Sequence, residues 1–399
     1  MPTSTIDPAL TYFPPMGVYE TLFKFLDATG RYMGTEGTHP WAQGFPLTTP
    51  VPGGPDIPTS IEFTHADLKY PPATGGMELL TAIRDYYARF YGANLTTDNI
   101  AIFAGGRPGI YATLAFLKPE YRVLIEETEY TPYYDALHIL RREPIIVPSN
   151  PENRFRPTLD DYRALAPERS FVVKSNPCNP TGVVWTDDAL RALVEFCQED
   201  GRGGLIDEAY EYFHLPEPVS AMRYVQDIDQ TNLFVVSAAT KGLQAPGLRI
   251  GWVVASKANI ELFRNFSSIA MGGVARPSQI CAAGLLEGER VAQARRAIGA
   301  FFGSQRERYA VGLSELGFEL FTGEGGFYHW ARLPGGLTAE EFNERLFRHH
   351  AAILPGPLTD MLRRGPASPL ARFVRFSFGP LKAESYEGDL AILRKALAG

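Results

Sequence analysis

The chain has 399 residues, 45% of them hydrophobic and 21% charged. That length suggests two or three structural units around a large core, and the composition excludes both a disordered tail and a bundle of membrane helices. With 38 Lys and Arg against 45 Asp and Glu the net charge is −7, which argues against a nucleic-acid carrier and leaves room only for local basic pockets.

The first residues, MPTSTIDPALTYFPP, have neither a basic stretch nor an apolar run, so no signal peptide is expected. Residues 40–58 then hold Pro40, Pro46, Pro50, Pro52, Pro55 and Pro58 together with Gly44, Gly53 and Gly54. Proline fixes φ and lacks a backbone donor, so this stretch is expected to be extended loop. From about residue 77 a βα rhythm sets in. MELLTAIRDYYARFYG reads as helix, NIAIF as strand, GIYATLAFL as helix and RVLIEE as strand. YYDALHILRR is helical, PIIVP a strand, LDDYRALA helical and FVVKS a strand. Thr186 is a fitting N-cap for DDALRALVEFCQED, and GLID, NLFVVS and GWVVAS follow as strands. Short β-branched runs alternating with helices predict a largely parallel sheet covered on both faces. After about residue 286 the pattern becomes α+β: one long amphipathic helix through EGERVAQARRAIGAFFGSQRERYAVGLSELG, then GGFYHWARLP, a helix through EEFNERLFRHH, the strand FVRFSF and a terminal helix. The expected division is an arm and part of a small domain over 1–51, a large domain over 52–285 and a small domain over 286–399. No apolar run is long enough to span a membrane. Cys178, Cys197 and Cys281 are odd in number and widely spaced, which fits neither a zinc site nor a disulfide framework and suits a reducing cytoplasm.

Four segments should fall just beyond the C-terminal ends of strands, where an open parallel sheet presents ligands: GGRPG (105–109), SNPCNPTG (175–182), DEAY (207–210) and SAATK (237–241). Lys241 in a concave, partly dry site can lose its proton and attack a carbonyl; the alternative is a solvated surface lysine. GLRIGW returns Arg249 to the same strand end, and a neighbouring cation lowers a lysine pKa. Asp207 ends an apolar strand, where an unpaired carboxylate is costly, so it is either a permanent anion facing a cationic ligand or a cap or ion-pair partner. Tyr210 can turn its hydroxyl to the same ligand or be an ordinary core tyrosine. Asn179, between Pro177 and Pro180, is either a fixed amide donor or an Asx-turn former. The glycines before Pro108 at a helix start suit both an ordinary helix N-terminus and a phosphate site.

SNPCNPTG, LIDEAY, SAATKGLQAPGLRIGW and VRFSF, in that order, resemble the fold-type I pyridoxal-phosphate enzymes, specifically the class I/II aminotransferases. The resemblance runs from about Pro40 to the C-terminus. It implies the aspartate-aminotransferase-like α/β fold, with a large, mostly parallel-sheet domain and a smaller α+β domain. It also implies pyridoxal 5′-phosphate held as an aldimine on Lys241, which would shuttle the proton as well. Asp207 would keep the pyridinium nitrogen protonated so that the ring acts as an electron sink. Asn179 and Tyr210 would bond the phenolate oxygen, Tyr130 would stack on the ring, and Arg249, with Gly106, Arg107 and Ser237 around it, would hold the phosphate. Arg375 would clamp the substrate α-carboxylate as a bidentate fork, and Gly44 would let substrate approach the backbone. Tyr70 would reach the phosphate of a neighbouring subunit's cofactor, which requires a homodimer with shared sites.

The sequence departs from the family where a phosphate-binding Ser or Thr is usual, because Ala238 stands there with Ser237 and Thr240 beside it. Pro108 removes one backbone donor from the phosphate loop; Arg107 replaces it with charge, points into the substrate site or forms a surface salt bridge. Arg276 either reads a substrate side chain or, the preferred reading, packs or pairs at an intersubunit surface. Tyr12, Phe13 and Tyr19 in the arm are expected to pack on a partner, the alternative being a cover for the site entrance. His349 and His350, with no third ligand at metal spacing, are read as solvated or cap-associated, so no metal is expected. The reading is a ping-pong aminotransferase taking an L-amino acid and a 2-oxo acid, with elimination, replacement, cyclisation or oxidation on the same fold as the alternative. No membrane or nucleic-acid partner is expected. A sensing domain of a transcription regulator would need a basic DNA-binding module, and a Rossmann dehydrogenase would need a GxGxxG fingerprint; neither is present.

Overall fold

The computed structural model describes residues 9–10 and 17–399. The strands read from the sequence are β1 (Ile100–Phe103), β2 (Arg122–Glu126), β3 (Ile145–Val147), β4 (Ser170–Ser175), β5 (Arg202–Asp207), β6 (Leu233–Ala238) and β7 (Gly251–Val254). They form one sheet in the order β1-β7-β6-β5-β4-β2-β3. β3, β2, β4, β5 and β6 pair in parallel in that order, with crossovers joining strands consecutive in the chain; β7 alone is antiparallel to both its neighbours. The reason is the connection. Parallel neighbours need a crossover that carries the chain back along the strands, usually a helix, whereas the twelve residues 239–250 hold only the three-residue turn Pro246–Leu248. That loop folds straight back, so the end of β6 and the start of β7 lie side by side with Ala238 opposite Gly251.

β4, β5 and β6 are buried along nearly their whole length, which is why they read as continuous apolar runs rather than alternating ones. The helix Asp187–Gln198 begins where Thr186 predicts and buries Leu190, Leu193, Val194, Phe196 and Cys197. At roughly 1.5–3 kcal/mol for each large apolar side chain taken from water, such faces hold the helices on the sheet.

A second sheet is antiparallel: β8 (Glu319–Leu320), β9 (Tyr328–Arg332), β10 (Leu354–Pro355) and β11 (Phe373–Ser377), in the order β10-β11-β9-β8. The long helix spans Gly288–Glu315. Arg295 on it forms a buried ion pair with Glu211 at 2.6 Å, and the same carboxylate accepts from the Tyr86 and Tyr91 hydroxyls. The helix Val18–Thr29 packs on the second sheet's side, with Phe25 against Phe347 at 5.8 Å between ring centroids. Residues 40–58 contain neither helix nor strand, as their prolines require. Among the described residues no helix is long and apolar enough to cross a membrane.

Candidate active site

Parallel pairing in register brings three strand ends to one edge: Ser175 lies beside Asp207, and Asp207 beside Val236. The loops leaving those ends carry Asn179, Tyr210 and Lys241, and the helix Gly106–Phe116 points its N-terminus at the same place. Together they line a cavity of about 360 Å³ that also takes in Tyr130, Ser237 and Arg249. Gly44, Arg375 and Tyr328 line an adjoining compartment that shares Lys241, Asn179, Tyr210, Tyr130 and Arg107 with it.

Asp207 sits at the cavity floor. Its Oδ2 accepts from the Tyr133 hydroxyl at 2.9 Å and its Oδ1 from the Ala209 amide at 3.0 Å. Burial raises its pKa, against the pull of those two donors. Lys241 shows the opposite effect. Burial first, then the charges of Arg107 and Arg375, lower its amine from 10.5 to about 7, with Asp207 opposing. Its Nζ donates to the Gly44 carbonyl and lies 5.7 Å from the Tyr210 ring centroid.

Asn179 joins the two compartments. Its Nδ2 is 3.5 Å from the Tyr210 hydroxyl, and its Oδ1 accepts from Arg375 Nη1 at 2.9 Å. Arg375 also donates from Nη2 to the Ala42 carbonyl at 2.7 Å, its guanidinium lies over the Tyr328 ring at 4.1 Å, and its Nε is buried with no hydrogen-bond partner. Tyr328 shares a hydrogen bond with Tyr210. A Cβ on Gly44 would stand 2.2 Å from the Tyr328 hydroxyl oxygen, so only glycine fits. Behind these rings Phe213, Phe302 and Phe327 form an edge-to-face and tilted stack with centroids 5.0–5.8 Å apart.

At the other end, Gly105 caps the helix with φ 97°, and a Cβ there would lie 2.2 Å from Arg249 Nη2. Bare backbone, helix N-terminus and guanidinium are thus gathered at one point, an anion site in composition. Arg249 itself takes a left-handed φ of 53° in the loop that returns it there. Arg107 is not in a surface salt bridge: its Nε donates to the Tyr130 hydroxyl at 2.8 Å and it lines both compartments. Ser237, Ala238 and Thr240 all line the cavity.

An amine, a buried carboxylate without a cationic contact, an amide and a hydroxyl at one rim, a ring wall and an anion-binding helix end suit a planar ring bearing an aldehyde, a basic nitrogen, a phenolic oxygen and a phosphate. Those are the groups of pyridoxal phosphate, and the donor set fits them.

Some residues singled out in the sequence lie elsewhere. Tyr70 stands outside the cavity, 93% exposed. Arg276 is paired within its own chain, to Glu78 at 2.7 Å and Asp67 at 3.1 Å. Tyr19 lines the cavity, in keeping with the alternative reading of the arm as a cover; Tyr12 and Phe13 lie outside the described residues. His349 and His350 lie just past the helix Ala339–Phe347, their amides bonded to its last carbonyls. Sequence reasoning missed Tyr133 and Tyr328. Tyr133 is three residues beyond Tyr130 at a helix start, one turn along the same face, which is the signal that could have found it.

The family model for aminotransferase class I and II matches residues 55–382. An aspartate aminotransferase of Pyrococcus horikoshii is 24% identical, covering 83% of this chain and 83% of that one. A probable aspartate/prephenate aminotransferase of Thermus aquaticus is 27% identical over 79% of this chain and 84% of its own. Among solved structures, the aspartate aminotransferase of Thermus thermophilus with maleate superposes with a TM-score of 0.79 at 21% identity, covering 96% of this chain and 97% of that chain; it speaks for the fold.

Proposed function

The chain belongs to the class I and II aminotransferases, and from that membership we propose that it is a pyridoxal-phosphate-dependent aminotransferase passing an amino group from an L-amino acid to a 2-oxo acid in two half-reactions. The observation that carries this reading is the single cavity in which the Lys241 amine, the buried Asp207 carboxylate, Asn179, Tyr210 and Arg249 all line the wall, with burial and neighbouring cations lowering the amine to about 7. The cofactor, when bound, supplies the electron sink that lets a Cα–H bond break.

Everything else is the work of this chain. Lys241 is half-neutral near pH 7 and so can act as nucleophile, then accept and return a proton at Nζ. Asp207, held by Tyr133 and the Ala209 amide, offers fixed negative charge to a ring nitrogen. Tyr210 and Asn179 would donate to a ring oxygen, and Tyr130 would lie beside the ring. Arg249, Ser237 and the amides of the helix beginning at Gly106 would hold the phosphate. Arg107, lining both compartments, adds positive charge between them. Arg375, with one guanidinium nitrogen unpartnered, receives the substrate carboxylate, and Gly44 leaves room for it. Arg375, Gly44, Tyr328 and Tyr130 line the compartment in which the substrate would sit.

The active form in this reading is a homodimer. The exposure of Leu68 (65%) and Tyr70 (93%), two residues apart in the chain, supports it, since large side chains left in solvent suit a covered face.

The test is an amino-acid panel on the cofactor-loaded enzyme. A true donor moves the bound cofactor's absorbance out of the visible, and a 2-oxo acid restores it. Visible absorbance that persists while an altered carbon skeleton is released refutes amino transfer.

A further inference from the structure

Behind the cavity lies a carboxylate that the proposed chemistry does not use. Glu129 is fully buried on the segment between β2 and the helix Thr131–Ile139. Its Oε1 accepts from the Tyr130 amide at 2.9 Å and from the Ser175 hydroxyl, and its Oε2 accepts from the Ser175 amide at 3.2 Å. The Ser175 oxygen in turn accepts from the Asn179 amide at 3.0 Å. One side chain thus fixes the backbone of the residue that walls the ring face and, through Ser175, the loop that carries Asn179. Ser175 itself lines the cavity.

The surroundings make this arrangement costly. Glu126 lies beside Glu129 and is paired to Lys174, with the Tyr162 hydroxyl 2.8 Å from the same oxygen. The Cys178 thiol is 3.8 Å from Glu129 Oε1. Lys174 is paired to Glu126, and among the described residues Glu129 has no ion-pair partner of its own. Burial and the Glu126 charge raise Glu129 to about 8, against the pull of Lys174 and of its own donors. A buried carboxylate next to another one is a liability unless its contacts earn their keep.

We infer that Glu129 is a positioning residue, clamping Tyr130 to the Ser175–Asn179 loop so that the ring face and ring edge of the cofactor pocket are held in one fixed relation. The inference rests on the aminotransferase reading. It also sets the hydrogen-bond direction at Ser175: a charged Glu129 keeps the Ser175 proton turned inward, whereas a protonated one donates to Ser175 Oγ and frees that hydroxyl to face the cavity.

The experiment uses cofactor-loaded Glu129→Ala, Glu129→Gln, Ser175→Ala and the Glu129→Ala/Ser175→Ala double variant. It reads the pH midpoint of the bound cofactor's visible absorbance, kcat and KM. Glu129→Ala is expected to move the absorbance midpoint and to lower kcat/KM about 10- to 100-fold, as loss of several hydrogen bonds at one buried side chain does. Ser175→Ala should move the same readouts in the same direction, and the double variant should be little worse than Glu129→Ala, because both act through one chain of bonds. Glu129→Gln, which keeps an acceptor oxygen, should recover part of the loss, and it carries the test with Ser175→Ala if Glu129→Ala does not fold. Midpoints and kcat unchanged in Glu129→Gln and Ser175→Ala, or losses that simply multiply in the double variant, overturn the inference. A parent enzyme that never colours with pyridoxal phosphate overturns the proposed function itself, and this inference with it.

Discussion

Removing Arg107 should make Lys241 a weaker nucleophile at neutral pH. At about 7 the amine is roughly ten-to-one neutral at pH 8, whereas an amine at 10.5 would be neutral in only about one molecule in 300. Burial is the larger cause of that gain and Arg107 the next. Replacing Arg107 by Met keeps the bulk, deletes the charge and should raise the Lys241 midpoint by about one pH unit, worth about 1.4 kcal/mol. The neutral fraction at pH 7 then falls from about one half to about one tenth. The assay is covalent capture of a phosphate-free aldehyde, pyridoxal, by the apoenzyme, trapped by borohydride and followed across pH by mass of the Lys241 peptide. A phosphate-free probe separates this effect from any loss of phosphate affinity. Asp207→Asn supplies the opposite sign: without the anion that opposes them, Arg107 and Arg375 should lower the midpoint further. A midpoint unchanged in Arg107→Met, or raised in Asp207→Asn, refutes the electrostatic account.

Because the folded state depresses Lys241, the unfolded chain holds more protons on this amine between pH 7 and 10.5, so apoenzyme stability gains from it as pH rises through that window. Lys241→Met should therefore stabilise the apoenzyme by roughly 2–4 kcal/mol at pH 6 and by little at pH 11, read by urea denaturation at the two pH values. Arg375→Ala is expected to raise KM for the amino acid, costing about 10- to 100-fold in kcat/KM while cofactor colour is retained. Gly44→Ala should abolish turnover, since the new methyl meets the Tyr328 hydroxyl, and Tyr328→Phe in that background should restore part of it; steady-state kinetics of the pair decides. Arg295→Met leaves the Glu211 carboxylate buried and without its ion-pair partner, and should destabilise the protein by about 3–5 kcal/mol in the same denaturation assay.

Much of the site could be read from the sequence because its residues follow strand ends. Asn179, Asp207 and Lys241 each come just after an apolar run, and register does the rest, bringing three separate loops to one cavity. The antiparallel β7 was less legible. A fully buried apolar run such as GWVV looks the same in either direction, and only the helix-poor connection 239–250 betrays the reversal. Arg107 was ambiguous for a different reason: one rotamer separates a surface ion pair from a cavity wall, and the Tyr130 hydroxyl 2.8 Å away selects between them. Tyr328 was invisible. It lies on the strand GGFYHWARLP, where nothing but the fold reveals that its hydroxyl meets that of Tyr210, 118 positions earlier. Glu129 reads as one more acid in the run EETEY until the structure buries it.

The proline-rich segment crosses the cleft with few amides to offer, so it is sewn down largely by its oxygens. Ser377 takes the Trp41 carbonyl, Arg375 that of Ala42, Lys241 that of Gly44, and Gln244 those of Leu47 and Thr49. Two of those stitches come from the guanidinium that a carboxylate would claim and the amine that a carbonyl carbon would claim. Arrival of a ligand and the hold of this seam therefore compete for one set of donors, while Gln244 and Ser377 keep the ends tacked in place.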